Sequence, residues 1–295
     1  MRRRRHHLDL RVEHVWKTRS ATIAAFLDCN NVLRSARVQR YTYNAEHFAI
    51  GLMYAITRKA IDDNLYKSEF GPNNDGLMEA FKETFVPAGG KVVAEDYPKL
   101  GETDYAPYLT KIRQSGAKAV YCFFSGTDAV NFVKQYDQFG LKQTTRLTGA
   151  GFLTEPDVLP AQGRSALGVI TGHFYTPVLD NPTNQRFVKE FREKFSNKMP
   201  DGFACQGYDT AETIVRALKV VNGNTQDKEK LVAALEKTEF DSPRGRFRFD
   251  PKSHNVIQPF IYIREVKEVA GGLNNVPIDK VADVRDPGTG CTLPA

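Results

Sequence analysis

The sequence is poor in the residues that most directly declare a chemistry. Its 295 residues hold four cysteines, Cys29, Cys122, Cys205 and Cys291, and no C-x-x-C spacing. This excludes a zinc ribbon, a dithiol redox pair and a disulfide-built scaffold. The apolar run of roughly 18 residues that a membrane-spanning helix requires is missing, and the mean hydropathy is −0.44. G-x-x-x-x-G-K-[ST], G-x-S-x-G and H-E-x-x-H are all absent, which removes the P-loop, the hydrolase elbow and the zincin helix. Internal repeats and low-complexity tracts are lacking too, and tryptophan occurs once, at Trp16.

An excess of one charge is also absent from most of the chain. The formal net charge is +6. Residues 1–40 hold ten Lys/Arg against Asp9, Glu13 and Asp28, whereas the remainder carries 31 basic and 32 acidic groups. A near-neutral body does not attract nucleic acid, so no nucleic-acid partner is expected. The basic excess begins at Arg2-Arg3-Arg4-Arg5, and residues 1–44 are expected to be poorly ordered. A secretory signal needs about 7–15 apolar residues after its basic start. Ala21–Leu27 barely reaches that length, lies far from the arginines and runs into Asp28; Leu27-Asp28-Cys29 is a weak lipobox.

What is present is rhythm. Leu77, Phe81 and Phe85 mark one face of a helix that Pro87-Ala88-Gly89-Gly90 ends. Lys91–Glu95 reads as a short strand. Asp104 predicts the cap of a helix that carries Leu109 and Ile112 inward and stops near Gly116. Ala119–Phe124 is a continuous apolar run, as a strand buried on both faces requires. A helix opening at Thr127 or Asp128 turns Val130, Phe132, Val133 and Tyr136 inward and stops at Gly140. Arg146–Thr148 and Val169–Gly172 are further strands. This alternation predicts βαβ units and a parallel sheet, whose ligands bind at the carboxyl ends of the strands. From about residue 181 helices dominate, with Phe187, Phe191 and Phe195 on one face, then Ala211–Val221 and Lys228–Lys237. Phe247–Phe249 and Phe260–Ile263 are strand-like, with turns at Asp250-Pro251 and Ser253–Asn255 between them.

The chemistry on this frame is sparse. Gly149-Ala150-Gly151 follows a strand as a dinucleotide loop does, but Thr154 and Pro156 stand where a third glycine and a helix belong. His173 and His254 are isolated, and no metal site is expected. Asp104, Asp128, Glu155 and Asp209 fall in caps or loops, and catalysis would need them to converge. Nothing requires an enzyme or a cofactor. The strand ends are richer: Phe123-Phe124-Ser125-Gly126 closes one and Gly149-Ala150-Gly151-Phe152 the next. They suit a pocket with apolar walls and a few orienting donors. Strand side chains alternate, so at most one of Phe123 and Phe124 faces the cleft, and Phe123 is assigned to the core.

In combination these segments resemble the substrate-binding proteins of branched-chain amino acid-type ABC transporters. The matching pieces are Gly76–Glu83, Ala119–Gly126, Asn131–Tyr136, Gly149–Thr154, Gln206–Asp209, Asp241–Gly245 and, most specifically, His254–Gln258 with Ile261–Glu265. The resemblance covers about residues 75–295 and is weak over 45–75. It implies the α/β periplasmic binding fold of type I: two Rossmann-like lobes, each a parallel sheet flanked by helices, here with the first lobe incomplete. On that reading residues 45–174 form the second lobe, 175–255 the helical part of the first, and 256–295 the crossover back with the terminal strands. Family members carry a longer stretch ahead of Asn44, so a chain shortened at its N-terminus is expected, with first-lobe helices exposing the faces that normally cover a sheet.

The function implied is capture of a small carboxylate in the cleft, hinge closure around it and docking on an ABC permease in the periplasm, by a monomer without cofactor or metal. Residue by residue, the resemblance carries ligand contacts onto Phe124, Ser125, Gly126, Gly151 and Phe152, with Tyr175 near the second crossover and the aromatic at the start of the second lobe near Phe70-Gly71. Amino-acid binders often place a glutamate in the loop that here reads Gly151-Phe152, and Glu155 is displaced from it. A buried ammonium without a carboxylate is costly, so an aromatic or other hydrophobic carboxylate is favoured. Two rivals remain: a cytoplasmic ligand-sensing domain on the same fold, and a Rossmann-like enzyme using Gly149-Ala150-Gly151.

Overall fold

A computed structural model describes residues 81–82, 84–251, 255–269 and 272–285. The expectations at Leu77, Phe70-Gly71, His254, Cys29, Cys291 and residues 1–44 lie outside the described residues.

Residues 81–82 and 84–85 are helical; the next helix, α1, spans Ala106–Ser115, with Asp104 Oδ1 accepting from the Ala106 amide at 2.9 Å and Gly116 at its end. Strand β1, Ala119–Cys122, is buried along its whole length. Helix α2, Gly126–Gln138, lays Phe132, Val133 and Tyr136 against it. Strand β2 covers Arg146–Ala150, a short helix α3 covers Leu159–Gln162, and β3 covers Ile170–His173. β1, β2 and β3 pair in parallel in that order, as consecutive strands of βαβ-type units do.

Past β3 come three helices: α4, Pro182–Lys194; α5, Gly202–Val220; and α6, Lys228–Glu236. Each begins at a side-chain cap, from Asn181, Asp201 and Asp227 respectively. A hairpin of β4, Phe240–Ser242, and β5, Gly245–Phe247, leads to two long strands, β6 (Gln258–Val269) and β7 (Gly272–Val284).

Three expectations are corrected. The sheet is mixed rather than purely parallel: its order is β1-β2-β3-β6-β7, with β6 antiparallel to both neighbours. Lys91–Glu95 builds no ladder among the described residues, and only Val92 sits in an isolated bridge. Helix α5 starts at Gly202, not Ala211, because Asp201 Oδ1 accepts from the Ala204 amide at 2.7 Å and the helix tolerates Gly207 in its interior.

Two apolar clusters flank this frame. One gathers Val120 and Cys122 of β1, the inner faces of α1 and α2, and Val266 of β6. The other gathers Phe174, Tyr175, Phe187, Cys205, and Ile261 and Tyr262 of β6. β6 therefore belongs to both, and its pairing with β7 slips register between Ile263 and Arg264, where one cluster gives way to the other. Helices α5 and α6 leave Ile214, Val215, Val220 and Val232 exposed. No helix among the described residues is long and apolar enough to cross a membrane.

Candidate functional site

The carboxyl ends of β1, β2 and β3 meet the start of α5. Phe123 leaves β1, Phe152 leaves β2 and Phe203 opens α5. The rings of Phe123 and Phe152 stand edge to face at 5.7 Å, and those of Phe152 and Phe203 stack at 5.4 Å with 27° between planes. His173, at the end of β3, presents its imidazole to Phe152 at 5.5 Å. These separations are those of favourable aromatic pairs. Phe203 is 61% exposed although it is apolar, so the group is a partly open aromatic wall rather than a closed core.

The two phenylalanines of the β1 end exchange the roles expected of them. Phe124 is buried, packed between Tyr105 at 5.4 Å and Phe132 at 4.6 Å, and Phe123 is the one that faces Phe152. The alternation rule held, but its phase follows from α2 covering the Phe124 side. Ser125 is the exposed N-cap of α2, with extended backbone, and Gly126 turns into the helix with φ 55°. Gly151 is buried, and a Cβ there would run into the His173 ring. Tyr175 does not join the wall: its phenol is enclosed and donates to Asn184 Oδ1 at 3.0 Å. Phe203 lies outside the helix expected from the sequence, which starts at Ala211, nine residues after the observed start at Gly202; the Asp201 cap is the signal available.

Behind the aromatic wall lies a buried charged network. Arg264 is fully buried and Glu155 nearly so, with Nη1 donating to Oε1 at 2.9 Å. The same guanidinium donates to the carbonyls of Tyr175 at 2.7 Å and Gly151 at 3.0 Å, and to Thr171 Oγ1. Glu155 Oε2 accepts from the Gly202 amide at 2.9 Å. A buried ion pair persists only when its remaining valences are met, as they are here. Burial lowers the Arg264 pKa, and the Glu155 carboxylate opposes that. Burial, with the Arg264 charge, holds His173 well below its ordinary value, so the imidazole is neutral, and its Nδ1 lies 3.1 Å from the Tyr175 carbonyl. Burial raises the carboxyl groups of Asp157 and Asp201, and the nearby Glu155 charge adds to both shifts.

The carboxylates singled out from sequence do not converge. Asp104 holds the Ala106 amide, Asp128 the Gly101 amide at 3.0 Å, Glu155 is bound to Arg264, and Asp209 to Arg244 at 2.7 Å. The Gly149-Ala150-Gly151 turn is followed by α3, a helix of four residues, with the Gly151 carbonyl already engaged by Arg264. No pyrophosphate-binding helix end stands there. Among the described residues no group of His, Cys, Asp and Glu is placed to hold a metal ion.

Residues 68–272 match the model of a family described as periplasmic binding protein. The chain is 36% identical over 242 residues to Leu/Ile/Val-binding protein homolog 6 of Brucella melitensis, covering 79% of this chain and 61% of that one. It thus spans about three fifths of the length of the curated relatives it matches. Two solved structures resemble it closely. One is a solute binding protein of an ABC transporter from Rhodopseudomonas palustris BisB5 in complex with 3,4-dihydroxy benzoic acid: 31% identity, TM-score 0.74, 81% of this chain and 66% of that one. The other is a solute binding protein of an ABC transporter from R. palustris in complex with benzoate: 28% identity, TM-score 0.75, 88% and 78%.

Proposed function

We propose, proceeding from the fact that this chain belongs to the periplasmic binding protein family, that it is the solute-binding component of an ABC importer and takes an aromatic carboxylate. The family is one of binding proteins, so the site captures and releases without covalent chemistry. The observation that carries the ligand class is the Phe123–Phe152–Phe203 wall, together with the engagement of Glu155 by Arg264 behind it. A planar ring gains area and quadrupole contacts against such a wall. The one glutamate near the Gly151-Phe152 loop is committed to a guanidinium and cannot also neutralise a ligand ammonium. The first turn of α2, from Gly126, adds amides and the positive helix end beside Phe123, which suit a carboxylate. The ligands named for the two R. palustris proteins belong to the same chemical class.

A partner permease, a periplasmic setting and closure of two lobes on the ligand complete this reading. Branched-chain amino acids are the rival ligands, favoured by the name of the Brucella relative.

The test is a thermal melt and titration with benzoate, 4-hydroxybenzoate, phenylalanine and leucine. Ligand at about a hundredfold its Kd adds roughly 2.7 kcal/mol to stability, so the benzoates should raise the Tm and leucine should not. Phe152→Leu should weaken benzoate about threefold to tenfold, the worth of one aromatic pair. A shift with leucine and none with either benzoate would overturn the assignment.

A further inference from the structure

Phe152 and Phe203 come from segments far apart in the chain, the end of β2 and the start of α5. Their stacking is worth only about 0.5–1.5 kcal/mol, too little to hold two backbones at a set distance. What joins them lies behind. Gly151, the residue before Phe152, is held through its carbonyl by Arg264 Nη2 at 3.0 Å. Gly202, the residue before Phe203, is held through its amide by Glu155 Oε2 at 2.9 Å, and Glu155 Oε1 is bound to Arg264 Nη1 at 2.9 Å. The His173 ring fills the space between: a Cβ at either glycine would run into it. Backbone, guanidinium, carboxylate and backbone thus form one rigid strut, and an imidazole acts as its spacer.

We propose that Arg264 is a positioning residue for ring recognition. Resting on the aromatic-carboxylate reading of the wall, the inference is that Arg264 touches no ligand and sets, through Glu155 and the Gly151 carbonyl, the separation of Phe152 and Phe203. Arginine suits the task because its planar fork reaches the Glu155 carboxylate, the Gly151 and Tyr175 carbonyls and Thr171 Oγ1 at once. A lysine ammonium in its place keeps the charge opposite Glu155 and loses the fork.

The experiment uses the full chain with Trp16→Phe and Phe203→Trp, so that its only indole stacks on Phe152. Into this parent go Glu155→Gln with Arg264→Met, or Arg264→Lys alone. Replacing both members of a buried pair leaves no orphaned charge, so a cooperative melt is expected to survive; if the double variant does not fold, Arg264→Lys decides. Without ligand, the indole should emit further to the red and be quenched more by acrylamide in the folded double variant, with Arg264→Lys in between. Benzoate affinity, measured in the chain with native Phe203, should fall about tenfold. Unchanged emission and quenching in every folded variant would overturn the inference, whatever happens to the Tm. If the indole moves as expected but the wild-type chain ignores benzoate, the strut stands and the ligand assignment falls. If benzoate binds and the indole does not move, the reverse holds.

Discussion

Burial, with the Arg264 charge adding to it, keeps the His173 imidazole neutral well below its ordinary pKa of 6.5. The unfolded chain takes up a proton there that the folded chain refuses. The slope of stability with pH is therefore positive: this contribution is fully present above about pH 6.5 and is lost as pH falls below it. Its limiting value is ~1.4 kcal/mol per pH unit for one proton. Asp157 and Asp201, raised in the folded chain, act with the opposite sign at lower pH and cancel when a variant is compared with wild type. Melts across about pH 5–8 should show His173→Phe with a flatter acid limb; equal slopes would assign the proton elsewhere. His173 is buried, with Nδ1 3.1 Å from the Tyr175 carbonyl. Its neighbours were not legible in the sequence. Glu155 and Arg264 are 109 positions apart, and a pattern of local spacing carries no information about a pair joined only when β6 lies beside β3. The same limit reversed Phe123 and Phe124: alternation says that they face opposite ways, and only the packing of α2 says which way is inward.

At the scale of the element, α5 contains two glycines with opposite consequences. Gly202 begins the helix against the His173 ring, whereas Gly207 sits in its interior with open space where a Cβ would be. Gly202→Ala should destabilise by about 1–3 kcal/mol through overpacking, and Gly207→Ala should stabilise by about 0.5–1 kcal/mol by lowering the entropy of the unfolded chain. Denaturant midpoints at unchanged slope check both; a Gly202→Ala midpoint equal to that of Gly207→Ala would mean that the His173 wedge exerts no constraint. These glycines also explain why the helix was read short. Local propensity disfavours both positions, while the Asp201 cap and the tertiary fit at Gly202 override it. By contrast α1 and α2 are readable from an apolar period and a stop residue, and β1 from its continuous apolar run. β7 is another element the periodicity did not reveal. Its sequence holds Gly272, Asn274, Asn275, Pro277 and two aspartates, poor strand formers taken singly. It forms because it is an edge strand with a long partner, where a proline is tolerated.

The whole molecule turns on β6, which contributes Val266 to one apolar cluster and Ile261 and Tyr262 to the other. Neither cluster can lose its share of β6 without disturbing the register of the strand that serves the other, and Arg264 fastens that strand at the point where they meet. Two cores linked only by flexible crossovers would melt apart; two cores sharing a paired strand should melt together. Amide exchange in denaturant should therefore give the same opening free energy for β1–β3 as for α4 and α5, and benzoate should raise both by equal amounts. Earlier opening of α4 and α5 with β1–β3 still protected would show that β6 does not couple the clusters. A benzoate effect confined to one of them would separate ligand capture from the shared strand.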